Sequence, residues 1–157
     1  MKMVGLDNLE VLFVVWAFLF QIILIIHFSL RKWSFHVYTL KYGWIVYTLS
    51  VPAIAISTLL LLGGKTWSLW LGGFIFLIWA TYGYTVEYTK GIQWRNPIRW
   101  PIFGPYVFLY LATIMFYWWP LGLISRPLWY VYTVLFIVST ALNVTSHQES
   151  KDRSQST

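Results

Sequence analysis

Among the apolar stretches of this chain, three histidines and one glutamate carry the side chains that acid–base or metal chemistry would use. His27, His36, Glu87 and His147 each stand where an apolar stretch gives way to basic residues. An imidazole near a carboxylate can relay protons at neutral pH, and three His with one Glu is a ligand set that zinc accepts. Their spacing argues against a metal, because no two of them stand three or four residues apart on one helix, as paired helical ligands do. Haem would need axial ligands facing each other from different helices. Only His27 and His147 share a depth, and both lie close to a helix end. There is no G-x-S-x-G elbow and no pair of carboxylates deep in an apolar stretch, so no nucleophile or acid pair is assigned. The four residues are expected as a rim cluster, with no catalytic residue, metal or cofactor assigned.

A second polar set lies deeper. Gln21, Tyr132, Ser139 and Asn143 interrupt otherwise apolar stretches, and Tyr132, Ser139 and Asn143 fall at i, i+7 and i+11, on one helical face. Such residues either mark a pathway or hydrogen-bond one helix to another. Ala53 with Ser57, and Gly72, Gly73, Ala80 and Gly83, would let two neighbouring helices approach closely. A third set, Trp94, Arg95, Arg99 and Trp100, alternates basic and aromatic side chains as a segment lying on anionic lipid headgroups would.

The elements that must position these residues follow from composition. Of 157 residues, 59% are hydrophobic and 10% charged, against about 25% charged in a soluble domain. So few charges cannot build a water-facing surface, and the mean hydropathy of +0.64 agrees. A helix crosses the hydrocarbon core with about 20 apolar residues. Five stretches qualify: Leu9–Leu30, Tyr42–Leu62, Trp67–Tyr88, Pro101–Leu121 and Pro127–Ser146. Lipid offers no partner to a bare N–H or C=O, so each must be helical despite its many β-branched and aromatic residues. The first stretch is longer than a signal-peptide core and has no small-x-small cleavage site, so it reads as a retained span. Residues 1–147 form a single transmembrane domain in this reading, and 148–157 a short disordered tail in the cytoplasm.

Lys and Arg between the spans set the direction. Lys2, Lys65 and Arg126 lie on one side; Arg31, Lys32, Lys41, Lys90, Arg95, Arg99, Lys151 and Arg153 lie on the other. The side with eight is expected to be cytoplasmic, giving an all-α integral membrane protein with its N-terminus outside and C-terminus inside. The expected location is the plasma membrane of a prokaryote. Pro52 falls inside the second span, where it should bend the helix and free the Thr48 carbonyl. Residues 42–88 laid over 101–147 share identities that include Tyr47/Tyr106, Leu62/Leu121, Gly63/Gly122 and Trp70/Trp129. One leading helix followed by two similar hairpins is therefore a possible architecture.

The 11 tryptophans sort by depth. Trp33, Trp44, Trp94 and Trp100 fall at the basic interface and Trp67, Trp70, Trp118, Trp119 and Trp129 at the opposite one, where amphipathic rings collect. Only Trp16 and Trp79 lie further in, as packing or pocket-lining residues. In size, span number and tryptophan content the chain resembles the tryptophan-rich sensory, or translocator, proteins. The segment Arg31-Lys32-Trp33-Ser34-Phe35-His36 departs from that family's Pro-rich aromatic loop, so no residue roles are carried over. The function expected first is a non-enzymatic accessory or scaffold subunit that binds lipids or a membrane assembly. The alternative is a carrier or receptor for a lipophilic or weakly polar small molecule, its pocket beside Pro52 and the polar face of the fifth span. A membrane-embedded enzyme using the His/Glu rim stands third. The partners implied are lipids, anionic at the cytoplasmic face, with membrane proteins or further copies of the chain. Nucleic acid is excluded, since the basic residues fall in short clusters and form no stripe.

Overall fold

In the computed structural model of the chain, residues 6–33, 42–92 and 98–154 are described, with side chains through Thr145. Among them stand five helices long and apolar enough to cross a membrane: α1 (Asn8–Trp33), α2 (Ile45–Leu62), α3 (Trp67–Thr89), α4 (Trp100–Ile124) and α5 (Arg126–Thr145). Each coincides within a few residues with a stretch expected from composition. The helix of α5 continues to Ser154, into the stretch read from the sequence as a polar tail. His36, Trp94 and Arg95 lie outside the described residues, as does the side chain of His147.

α1 carries two apolar stripes. Phe13, Trp16, Ala17, Phe20, Leu24 and Phe28 are buried, while Val11, Val15, Leu19, Ile22, Ile26 and Leu30 are exposed. Both sets keep helical spacing. A helix packed on a core in water would carry its polar residues on the second stripe. Here that stripe holds only aliphatic side chains. α3 packs between α2 and α4, and α1 runs along α5. At the centre Phe20 of α1 meets Phe76 of α3 at 4.8 Å and Tyr117 of α4 at 5.4 Å between ring centroids. These tilted contacts suit the ring quadrupoles.

The turn from α2 to α3 closes on Gly64 at φ 67°, a left-handed position that costs glycine little. The Lys65 N–H donates to the Leu60 carbonyl at 3.0 Å and the Gly64 N–H to Leu61 at 3.1 Å, which caps α2 in the Schellman manner. The Lys65 ammonium then pairs with Asp7 and, at 3.0 Å, with Glu10. Those carboxylates also cap α1. The Glu10 N–H donates to Asp7 Oδ1 at 2.9 Å and the Asp7 N–H to Glu10 Oε2 at 3.3 Å, a reciprocal capping box. One lysine thus ties the start of α1 to the α2–α3 turn. The Lys65 ammonium holds the Asp7 carboxyl below its ordinary value, and Asp7 in turn raises Lys65.

Two helices depart from regularity. α2 consists of Ile45–Thr48 and Ser50–Leu62, interrupted at Leu49. The break lies where Pro52 has no N–H for the Thr48 carbonyl, and regular bonding resumes with Ala53 N–H to Leu49 O at 3.2 Å. α3 ends in a π-helical turn, Thr85–Thr89. Between them α2 and α3 touch through small residues. A Cβ on Gly73 would lie 2.6 Å from the Ala53 carbonyl oxygen and 2.9 Å from Ser57 Cβ.

Two outcomes follow from these contacts. Gly73→Ala should destabilise the protein by about 1–3 kcal/mol through overpacking, whereas Gly104→Ala, where a Cβ meets nothing within 4 Å, should be neutral or stabilising. Thermal melts of the two variants in detergent check the pair, and equal Tm values would contradict the α2–α3 contact. Asp7→Asn should lower the Tm at neutral pH. Because the folded-state pKa is depressed, the contribution of Asp7 is full above its ordinary value of 3.8 and fades as pH falls through the lowered value. The gap between wild type and variant should therefore close on acidification below that value, and a gap that persists there would exclude the Lys65 pairing as its cause.

Candidate functional site

The charged residues gather at two ends of the bundle. Asp7, Glu10, Lys65 and Arg126 mark one; Arg31, Lys32, Glu87, Lys90 and Arg99 mark the other. At the Arg31 end lies a cavity of about 250 Å³ to which all five helices contribute. Its wall is mostly apolar, with polar groups set into it at a few points.

On α1 the sequence spacing aims the contributors. Gln21, Leu24, Phe28 and Arg31 follow i, i+3, i+7 and i+10 and share the buried face. Leu24, His27, Phe28 and Arg31 line the cavity. Arg31 is only 4% exposed, its guanidinium 5.8 Å from the Phe28 ring centroid and its Nη2 donating to Asn143 Oδ1 of α5 at 3.4 Å. The offset segment of α2 brings in Tyr47, and the π turn of α3 brings in Glu87. A π turn hydrogen-bonds i to i+5 and so rotates the residues after it relative to a regular helix. Tyr47 donates its hydroxyl proton to Glu87 Oε2 at 2.8 Å. Tyr106 Oη lies 3.3 Å from Tyr47 Oη; with the Tyr47 proton committed to the carboxylate, Tyr106 is the donor. Gly83 leaves room for this arrangement, since a Cβ there would come within 2.6 Å of the Tyr47 ring.

Trp79 forms the inner wall. Its ring lies 5.5 Å from Tyr47, 5.4 Å from Tyr106 and 5.6 Å from Tyr110. Although Trp79 is 3% exposed, its indole N–H has no hydrogen-bond partner among the described residues, and neither have the buried hydroxyls of Tyr110 and Thr140, which also line the cavity. Trp16, the other buried tryptophan, is satisfied: its Nε1 donates to Tyr117 Oη at 3.0 Å.

The residues singled out from the sequence divide as follows. His27 and Glu87 share the cavity wall, and Asn143 joins them. Gln21 and Ser139 meet at 2.5 Å, and Gln21 Nε2 also donates to the Leu135 carbonyl at 3.2 Å. Both are fully buried and fasten α1 to α5. Tyr132, also buried, meets Phe18 edge-on at 5.6 Å. Arg99 and Trp100 are exposed at the start of α4. Among the described residues no three His, Asp or Glu converge as metal ligands would. Pro52 does not line the cavity, but Val46 and Tyr47, on the segment offset by its break, do.

Sequence reasoning passed over Arg31, Tyr47, Tyr106 and Tyr110. As a charge Arg31 contributes only to the topological bias, although its helical register with Gln21 and Leu24 places it inward. Tyr47 and Tyr106 are partners in the internal repeat, and that correspondence is the one sequence signal that marked them. Comparison with protein-family models, curated proteins and solved structures gives no match.

The contrast between the two buried indoles can be measured. Trp16→Phe and Trp79→Phe remove similar volumes, but the first also strands the Tyr117 hydroxyl while the second removes a donor that has no acceptor. In ligand-free protein Trp16→Phe should therefore be the costlier, by on the order of 1–3 kcal/mol. Chemical denaturation of both variants tests this, and the reverse order would mean that Trp79 is satisfied.

Proposed function

We propose that this chain is an integral membrane protein that crosses the bilayer five times, with the Arg31 end in the cytoplasm, and that it binds a small lipophilic molecule in the cavity at that end as a carrier or receptor. The observation that carries the reading is the cavity itself: about 250 Å³, walled by all five helices, mostly apolar, with polar groups converging from several of them. Small-molecule sites have this character, an apolar chamber with a few placed polar groups. A scaffold has no need of such a chamber, and buried hydroxyls without partners lower its stability. Membrane insertion is supported by the five apolar helices and by the aliphatic outer stripe of α1. The orientation is supported by the eight-to-three excess of Lys and Arg.

One observation favours a second reading, an accessory subunit. The apolar window of α5 is only 11% buried, against 33–44% for the other four helices, and Tyr130, Val131, Val134 and Ile137 are exposed along it. A membrane partner or a second copy of the chain would find its apolar face there.

The chain has no cysteine, which makes the topology simple to test. Thr66→Cys should react with a membrane-impermeant maleimide on intact cells, and Lys90→Cys only after permeabilisation; the opposite pattern would invert the orientation. For the site, a panel of lipophilic compounds should contain members that raise the Tm of the purified protein. A ligand held at 100 times its Kd adds about 2.7 kcal/mol, which a melt resolves. No shift with any compound would reject the binding role and leave the accessory reading.

A further inference from the structure

The cavity wall specifies the chemistry of its ligand more narrowly than lipophilicity does. Trp79 Nε1, Tyr110 Oη and Thr140 Oγ1 come from α3, α4 and α5, and all three are buried without a partner among the described residues. An indole N–H is a donor only, so Trp79 requires an acceptor from whatever occupies the chamber. The two hydroxyls can donate as well. A cation would leave the Trp79 hydrogen without an acceptor. The wall carries both the Arg31 guanidinium and the Glu87 carboxylate, whose opposite charges offset each other and leave no net charge to draw in an ion. A wall with no net charge and three unpaired donors favours a neutral molecule rich in acceptors and poor in donors.

Shape narrows it again. Phe28, Tyr47, Trp79, Tyr106 and Tyr110 present aromatic rings to the space, and rings stack best on a flat partner. At about 250 Å³ the chamber falls below the roughly 300–1,000 Å³ of sites that enclose a whole drug-sized ligand. It suits a head group of one or two rings.

We propose that the chamber binds the head group of a quinone, with Trp79 Nε1, Tyr110 Oη and Thr140 Oγ1 donating to its carbonyl oxygens. The proposal rests on the reading of the cavity as a lipophile site and adds the requirement for acceptors.

The test uses the full chain in lipid nanodiscs and two titrants of similar size, a decyl-substituted benzoquinone and decylbenzene, which lacks the carbonyls. The quinone should bind measurably more tightly. Trp79→Phe and Thr140→Val should each weaken it roughly threefold to tenfold, as expected for one lost hydrogen bond, and leave decylbenzene unaffected. Tyr110→Phe serves in place of Trp79→Phe if that variant does not fold. Trp16→Phe, outside the chamber, should bind like the wild type. If decylbenzene binds as well as the quinone and the variants change nothing, the requirement for acceptors is wrong and the lipophile site stands. If neither titrant binds and the lipophile panel also gives no stabilisation, water fills the chamber and both readings fall. If the panel stabilises but the quinone does not bind, only the quinone assignment is lost.

Discussion

A polar hydrogen buried among apolar helices has to find an acceptor inside the protein, because leaving it unpaired costs about 1–3 kcal/mol. Most of the polar side chains here answer to that constraint. The hydroxyls of Thr58, Thr113, Thr133 and Thr145 turn back to the carbonyl four residues earlier, which keeps them from disturbing a neighbour. Others meet the constraint across helices and thereby set the packing. Gln21 reaches Ser139 and the Leu135 carbonyl, fixing α1 against α5. Trp16 reaches Tyr117, fixing α1 against α4, and Trp118 reaches Thr133 at 2.7 Å, fixing α4 against α5. Each of these bonds also dictates a rotation, since a helix turned by one residue would bury the same group without its partner.

The backbone follows the constraint as well, and its two departures from regular helix bracket the chamber. Pro52 interrupts α2 at Leu49, and the π turn at Thr85–Thr89 widens the end of α3. Together they bring Tyr47 and Glu87 to 2.8 Å, and Tyr106 adds its hydroxyl from α4. This bonded group ties three helices at the Arg31 end, as Lys65 ties α1 to the α2–α3 turn at the other. The chamber lies where irregular backbone and polar side chains coincide. Irregular backbone is tolerated among apolar helices chiefly where it borders a cavity or is buried in protein.

The helices were legible in the sequence because their signal is local. Length and apolarity alone placed α1 to α5 within a few residues of their ends, and depth along each stretch separated Trp16 and Trp79, both buried, from exposed Trp33, Trp67, Trp100 and Trp119. The chamber was legible only in part. His27, Glu87 and Asn143 could be placed at one end, because depth is local too. Which residues of neighbouring helices face each other is set by rotation about each axis, and a helix apolar on every side carries no pattern that reveals its rotation. Arg31 shows the consequence. Its charge accords with the topological bias, which carries no information on register, and its register points it inward. The π turn left no mark in the sequence, since Thr85 to Thr89 contains no residue that a regular helix would refuse.

The two deep tryptophans show how one constraint yields both stability and a site. Trp16 and Trp79 are equally buried, and each has tyrosine rings close by. Beside Trp16 the Tyr117 hydroxyl accepts the indole hydrogen. Beside Trp79 the neighbouring Tyr106 hydroxyl is directed to Tyr47, and that of Tyr110 is itself without a partner among the described residues. Leaving Trp79, Tyr110 and Thr140 unpaired together costs the ligand-free protein several times what one such atom costs, on the order of a few kcal/mol. That is a sizeable share of the margin by which an ordinary domain is stable. Three unpaired groups from three helices around one apolar space are poor economy for a core and a reasonable arrangement for a site whose occupant completes the hydrogen bonds. Among the described residues two further unpartnered atoms, Gln21 Oε1 and Tyr132 Oη, lie away from the chamber, but only around the chamber do such groups come from three helices to one space.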